Sequence, residues 1–277
     1  MLRAISVTTV LIAATAAALL GQGRDRDRAQ TFGRTADLTC DEVRGDRRAT
    51  NCEIREETLS GSTLDVDASP NGGIRVRGWD RGETLVRARV VTYARTDGDA
   101  RALASEVRVT TSGGRVRADG PNNGRNESWS VSFDVQVPRD AQLTLNTVNG
   151  GISIYDFRGS ARFQARNGGV SLSQIGGDIR GETVNGGVNV DLSGDRWEGA
   201  GLDVETRNGG VRMFLPAGYS AELETGTVNG GLNIDFPVTV QGLITGRQNR
   251  RITTTLGSGG PRIRAITTNG GVTISRR

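Results

Sequence analysis

No histidine and no lysine occur in these 277 residues; all 35 basic side chains are arginine. A Ser-His-Asp or Cys-His centre therefore cannot be assembled within the chain, and histidine ligation of a metal and covalent lysine chemistry are excluded with it. The two cysteines cannot form a structural zinc site alone. Aromatic residues make up only 4%, so nucleic-acid modules that interleave stacking rings with cations are not encoded. The chemistry left to an enzyme is carboxylate with arginine, as in sugar-cleaving β-helices. The candidates are Asp191, Asp203, Glu205, Glu224 and Asp235, whose plainer reading is solvated positions on outward strand faces. No catalytic, cofactor or metal residue is assigned.

Glycine is abundant: 40 residues. Many fall in one motif, Asn-Gly-Gly followed by an aliphatic residue, which begins at Asn71, Asn149, Asn167, Asn185, Asn208, Asn229 and Asn269. From Asn149 the intervals are 18, 18, 23, 21 and 40 residues, the last fitting two turns with Ser258-Gly259-Gly260 as a degenerate copy. A fixed period near 20 marks a repeat architecture. Two residues before each Asn of the regular region stand Thr147, Ala165, Thr183, Thr206, Thr227 and Thr267. Aliphatic residues recur three and five positions after it, from Ile152 and Ile154 to Val272 and Ile274, with polar residues between. Alternation on both sides of a tight turn predicts two strands per repeat, one face inward.

A hairpin meander and a β-solenoid both fit this pattern. The solenoid is favoured, because stacked coils put identical residues ~4.8 Å apart and let asparagine amides, and inward threonine hydroxyls, bond along a ladder. The predicted fold is all-β: a repeat β-solenoid with two strands per coil, Asn-Gly-Gly turns and one short helix in the N-terminal part. That helix is Asp99 to Glu106, with Asp97 or Asp99 as its N-cap.

In chain order, residues 1–23 read as a secretory signal: Arg3, an apolar run from Ala4 to Leu20, then small residues before a cleavage site after Gly23. Residues 24–56 read as a flexible segment holding the Cys40–Cys52 loop. In an exported chain two lone cysteines at this spacing pair, against the rivals of a metal pair or a redox pair. An N-terminal β region spans 57–140, and the regular repeats span 141–277. The chain ends in Arg276-Arg277, charge that discourages edge-to-edge growth of a last strand.

The order of Cys40…Cys52-Glu53-Ile54-Arg55-Glu56, Pro70-Asn71-Gly72-Gly73-Ile74-Arg75-Val76-Arg77-Gly78-Trp79, a short alanine-rich helix, Trp129-Ser130-Val131-Ser132-Phe133 and Thr-x-Asn-Gly-Gly repeats resembles the bacterial "putative adhesin" domain family. The resemblance covers roughly 57–277. It implies a β-solenoid-like domain of exported and envelope proteins, and it supplies no catalytic residues.

The leading functional expectation is an exported, non-enzymatic binding protein of the bacterial envelope, in the periplasm or at the cell surface. Its partner would be an envelope or surface component, with an anionic polymer or glycan favoured by a net charge of +4. No nucleic acid is expected, and a membrane only through an uncleaved signal segment. The alternatives are a self-assembling envelope scaffold that stacks through open strand edges as a homo-oligomer, and a carbohydrate-active enzyme using the outer carboxylates. Trp197 lies in the insertion that widens one repeat to 23 residues, and is the candidate ligand contact.

Overall fold

The computed structural model describes residues 38–41, 43, 48–235 and 250–277. The expected signal, most of the segment after it and most of the irregular loop at 242–251 lie outside the described residues. The described part belongs to one compact unit, all-β with a single α-helix.

The regular repeats each give one strand before and one after the Asn-Gly-Gly turn. They are β8 (Gln142–Asn149) and β9 (Ile152–Tyr155), β10 (Ser160–Asn167) and β11 (Val170–Ser173), β12 (Asp178–Asn185) and β13 (Val188–Asp191), β14 (Gly201–Asn208) and β15 (Val211–Leu215). Strands before the turn pair in parallel with one another, and so do strands after it, always with Asn opposite Asn. Leu143, Ala161, Ile179 and Leu202 line up in one buried column, and Ile152, Val170, Val188 and Val211 in another. The alternating pattern thus makes a thin aliphatic core between two sheets. At one place volume is traded between neighbours: the ring of Phe163 lies where a Cβ on Gly181 would sit, 2.3 Å from it.

The N-terminal part caps and extends these sheets through β1 (Ala49–Ser60), β2 (Thr63–Asp67), β3 (Ile74–Trp79), β4 (Glu83–Ala94), α1 (Asp97–Glu106), β5 (Arg108–Thr110), β6 (Arg115–Asp119) and β7 (Ser128–Pro138). Three expectations change here. The β structure begins at Ala49, not Glu57: β1 pairs antiparallel with β4 over its whole length, and Cys40 is bonded to Cys52 within it. The expected boundary at 140/141 is not a break, because β2 and β3 with the Asn71 turn stack directly on β8 and β9. The helix cap is Thr96, whose Oγ1 accepts the Asp99 amide at 3.1 Å.

The C-terminal strands are β16 (Ala221–Asn229), β17 (Leu232–Ile234), β18 (Arg250–Leu256), β19 (Arg262–Asn269) and β20 (Val272–Arg276). Their order is not that of the chain. One sheet runs β1-β4-β7-β3-β9-β11-β13-β15-β20-β17 and the other β18-β16-β19-β14-β12-β10-β8-β2-β6-β5. The last repeat is inserted between the Asn208 and Asn229 repeats, parallel to both. The expectation that coils stack in sequence therefore fails at the end, and the C-terminal repeat is not the bare edge that motivated end-to-end assembly. Nor is Ser258-Gly259-Gly260 a degenerate coil: it lies in the link from β18, which runs antiparallel on β16, to β19.

Candidate binding surface

The turns form one continuous ridge. Each asparagine amide donates to the side-chain oxygen of the next: Asn149 to Asn71 at 3.0 Å, Asn167 to Asn149 at 2.9 Å, Asn185 to Asn167 at 2.8 Å, Asn208 to Asn185 at 2.9 Å, Asn269 to Asn208 at 2.8 Å and Asn229 to Asn269 at 2.8 Å. The threonines two positions earlier do not form a ladder of their own. Thr147, Thr183, Thr206, Thr267 and Thr227 each donate instead to the first-glycine carbonyl of the adjoining turn, at 2.7–2.8 Å. A buried hydroxyl must find an acceptor, and the stacked turn supplies one.

The first glycine of the motif answers to this stacking more than to backbone freedom. Gly168 lies outside the left-handed region, yet a Cβ there would sit 1.9 Å from the Gly150 oxygen. The same clash, at 2.0–2.1 Å, meets Gly150, Gly186 and Gly209.

The sheet of strands that precede the turns carries an open hollow of about 460 Å³ on its outer face, crossing β8, β10, β12, β14 and β19. Outward positions five and three residues before each Asn line it: Thr144 and Asn146, Arg162 and Gln164, Arg180 and Glu182, Asp203 and Glu205, then Arg264. The two ends differ. Toward β19 the charges are closed on one another. Arg264 donates to both Asp203 and Glu205 and lies 3.7 Å from Glu224, which also takes Arg262 and, at 3.5 Å, Arg251. Burial acts to lower the Arg264 pKa, but the bonds to Asp203 and Glu205 outweigh it and hold the guanidinium above its ordinary value. Toward β8 the lining is amide and hydroxyl. Arg180 is tied to Asp178 at 2.9 Å, whereas Arg162 has no ion pair among the described residues.

The sequence-derived candidates fall in different places. Asp203, Glu205 and Glu224 come together around Arg264. Asp191 is on the opposite sheet, half-buried and paired with Arg277; burial raises its pKa, opposed by that arginine. Asp235 follows β17 and is exposed. Trp197 is not a ligand contact: it is 2% exposed, and its indole N–H is spent on the Gly177 carbonyl at 3.0 Å. The insertion folds its apolar ring inward, where it joins the hydrophobic core. Trp129 is buried likewise on the Pro121 carbonyl, and Arg81 stacks over Trp79 at 4.8 Å. Sequence reasoning missed the arginine partners Arg262, Arg264 and Arg277. Their spacing from Asn269 is regular, but which carboxylates they face depends on the stacking order. Among the described residues no group of three or more acidic or cysteine side chains is placed to hold a metal.

The family described as Toastrack DUF4097 matches residues 33–275. Among solved structures, a putative cell adhesion protein from Clostridium sporogenes is 11% identical, covers 81% of this chain and 100% of its own, and has a TM-score of 0.35. A putative adhesin from Bacteroides fragilis is 12% identical over 82% of this chain and 97% of its own, with a TM-score of 0.37. A putative lipid binding protein from Parabacteroides distasonis is 10% identical over 81% and 97%, with a TM-score of 0.24. No curated protein matches the chain.

Proposed function

The chain belongs to the Toastrack DUF4097 family, and from that premise we propose that it is a non-enzymatic binding protein of the bacterial envelope, a β-solenoid that offers one outer sheet face to an acidic polymer or glycan. The observation that carries this reading is the hollow across five strands with a polar lining, in which Arg162 has no ion pair among the described residues. Asn146, Gln164 and Thr144 present hydroxyl-matching donors and acceptors beside it. A carboxylate or phosphate of the ligand would take the Arg162 guanidinium in a charge-assisted hydrogen bond. Four of the five candidate carboxylates, Asp191, Asp203, Glu205 and Glu224, are ion-paired, and the fifth, Asp235, is exposed and apart from them. Export is supported by the Cys40–Cys52 disulfide, which persists in oxidising compartments.

Calorimetric titration with oligogalacturonate and with a neutral malto-oligosaccharide tests the reading. Binding of the acidic probe should weaken with salt and fall roughly tenfold in Arg162→Gln, the loss of about one charged hydrogen bond. No binding of the acidic probe, or binding indifferent to Arg162→Gln, would overturn it. Protease shaving of intact source cells would then separate surface from periplasm.

A further inference from the structure

Asn-Gly is the residue pair most open to deamidation, because glycine puts no side chain in the way of its own nitrogen. The pair occurs at the seven ridge turns and once more at Asn123-Gly124. Attack by the glycine nitrogen on the asparagine Cγ needs that nitrogen free. At six ridge turns it is not: the first-glycine N–H donates to the asparagine carbonyl of the next turn in the stack, from Gly72 to Asn149 at 3.0 Å through to Gly270 on Asn229 at 3.0 Å. Gly124 donates to the Glu127 carbonyl at 2.8 Å, and the Asn123 side chain is bonded to the Trp129 backbone. Such sites react only from a locally opened state.

The Asn229 turn differs. It is the last of the stack among the described residues, with no further turn to accept the Gly230 N–H, which has no hydrogen bond among the described residues. Asn229 is exposed, and its side chain is held by one bond, from Nδ2 to the Asn269 Oδ1 at 2.8 Å. Asn71, at the opposite end of the ladder, isolates the cause. Its side chain also has one ladder bond, accepted from Asn149, but its glycine N–H is engaged.

We propose that Asn229 is a site of spontaneous deamidation in the folded protein, while the other Asn-Gly pairs are protected by the hydrogen bonds of the fold. The Gly230 nitrogen bonds to the Asn229 Cγ, the Cγ–Nδ2 bond breaks, and ammonia leaves with the proton that the Gly230 nitrogen gives up. Water then adds to either carbonyl of the cyclic imide and opens it to aspartate or isoaspartate. Both products lack the side-chain amide that donates to Asn269, so the last bond of the ladder is lost and the end of the ridge gains a negative charge.

The test holds the full wild-type chain folded in warm, mildly alkaline buffer beside a sample unfolded in guanidinium. Both are followed by tryptic peptide mass spectrometry, with fragmentation to separate Asn229 from Asn233 in the same peptide. In the folded sample Asn229 should lose its amide at least about tenfold faster than Asn71, Asn123 or any other ridge asparagine. In the unfolded sample that lead should collapse. Survival of Asn229 in the folded protein while the unfolded chain reacts, or loss no faster than at Asn71, would overturn the proposal. A lead that persists undiminished after unfolding would trace it to local sequence and overturn the structural cause.

Discussion

The stack from β8 to β15 and the stretch from β16 to β20 are built from the same turn, yet the first follows the chain and the second does not. In the first, each repeat is laid on the one before and the links are short. In the second, the last repeat lies between the β14–β15 and β16–β17 repeats. The turn chemistry is indifferent to this choice: the amide ladder passes through Asn269 as evenly as through Asn185. What differs is the outward charge. The turns therefore fix that repeats stack; around the inserted repeat Arg264 lies between Asp203 and Glu224, whereas the sequential stack places Arg162 opposite Arg180 and Glu182 opposite Glu205.

The largest effect should separate the first glycine of a turn, which faces the neighbouring turn's carbonyl, from the second glycine of the turn that ends the ridge. Gly186→Ala places a Cβ 2.1 Å from the Gly168 oxygen and should cost about 3 kcal/mol or more in urea unfolding. Gly231→Ala meets nothing within 4 Å and should stay within about 0.5 kcal/mol. Equal losses would show that stacking distance is not the reason for the glycines.

Next comes charge. Arg264→Gln removes bonds that tie the inserted repeat to its wall and should cost about 1–2 kcal/mol, because its side chain is only 14% exposed. Arg180→Gln, in the sequential stack, breaks one pair with Asp178 at a side chain 59% exposed and should cost about 0.5 kcal/mol or less. Parity between these two variants would show that the Arg264 bonds contribute no more than an exposed pair.

Asp191 links the two regions through Arg277, and its effect appears as a pH slope. Its folded pKa is raised from 3.8, chiefly by burial, and one of its oxygens has no hydrogen bond. The folded state thus binds the proton more tightly than the unfolded state. This contribution is full below the unfolded value and is lost as pH rises through the folded one. Wild type should lose stability relative to Asp191→Asn across that window; a flat difference in urea unfolding would contradict it.

The smallest effect is a gain. Ala165 alone among the regular repeats lacks the threonine hydroxyl, leaving the Gly150 carbonyl without the bond its counterparts receive. Ala165→Thr should add about 0.5–1 kcal/mol.

Much of this architecture was legible because it is periodic. Alternation around Asn-Gly-Gly located the strands, their inward columns and the asparagine ladder, since each depends only on local spacing. Thr147 and its counterparts were placed correctly inward, but their acceptor was misjudged: the nearest partner in a stack is the turn carbonyl, which sequence spacing does not display. Stacking order was not legible, because seven equivalent turns permit several orders. The Arg264 cluster was hidden with it, as Asp203 and Arg264 are 61 residues apart. Trp197 was misread because an insertion was taken to project outward, when an indole with a reachable carbonyl is more stable inside. The hollow itself follows from outward positions already counted as polar, but its two unlike ends depend on the order of the strands.

The most direct test of the account is amide–amide NOE spectroscopy on deuterated protein at the buried position four residues before the ridge asparagines. Ala265 should show cross-strand contacts with both Val204 and Thr225, its neighbours in register on either side. A direct contact between Val204 and Thr225, with Ala265 touching only one of them, would mean that the repeats stack in chain order.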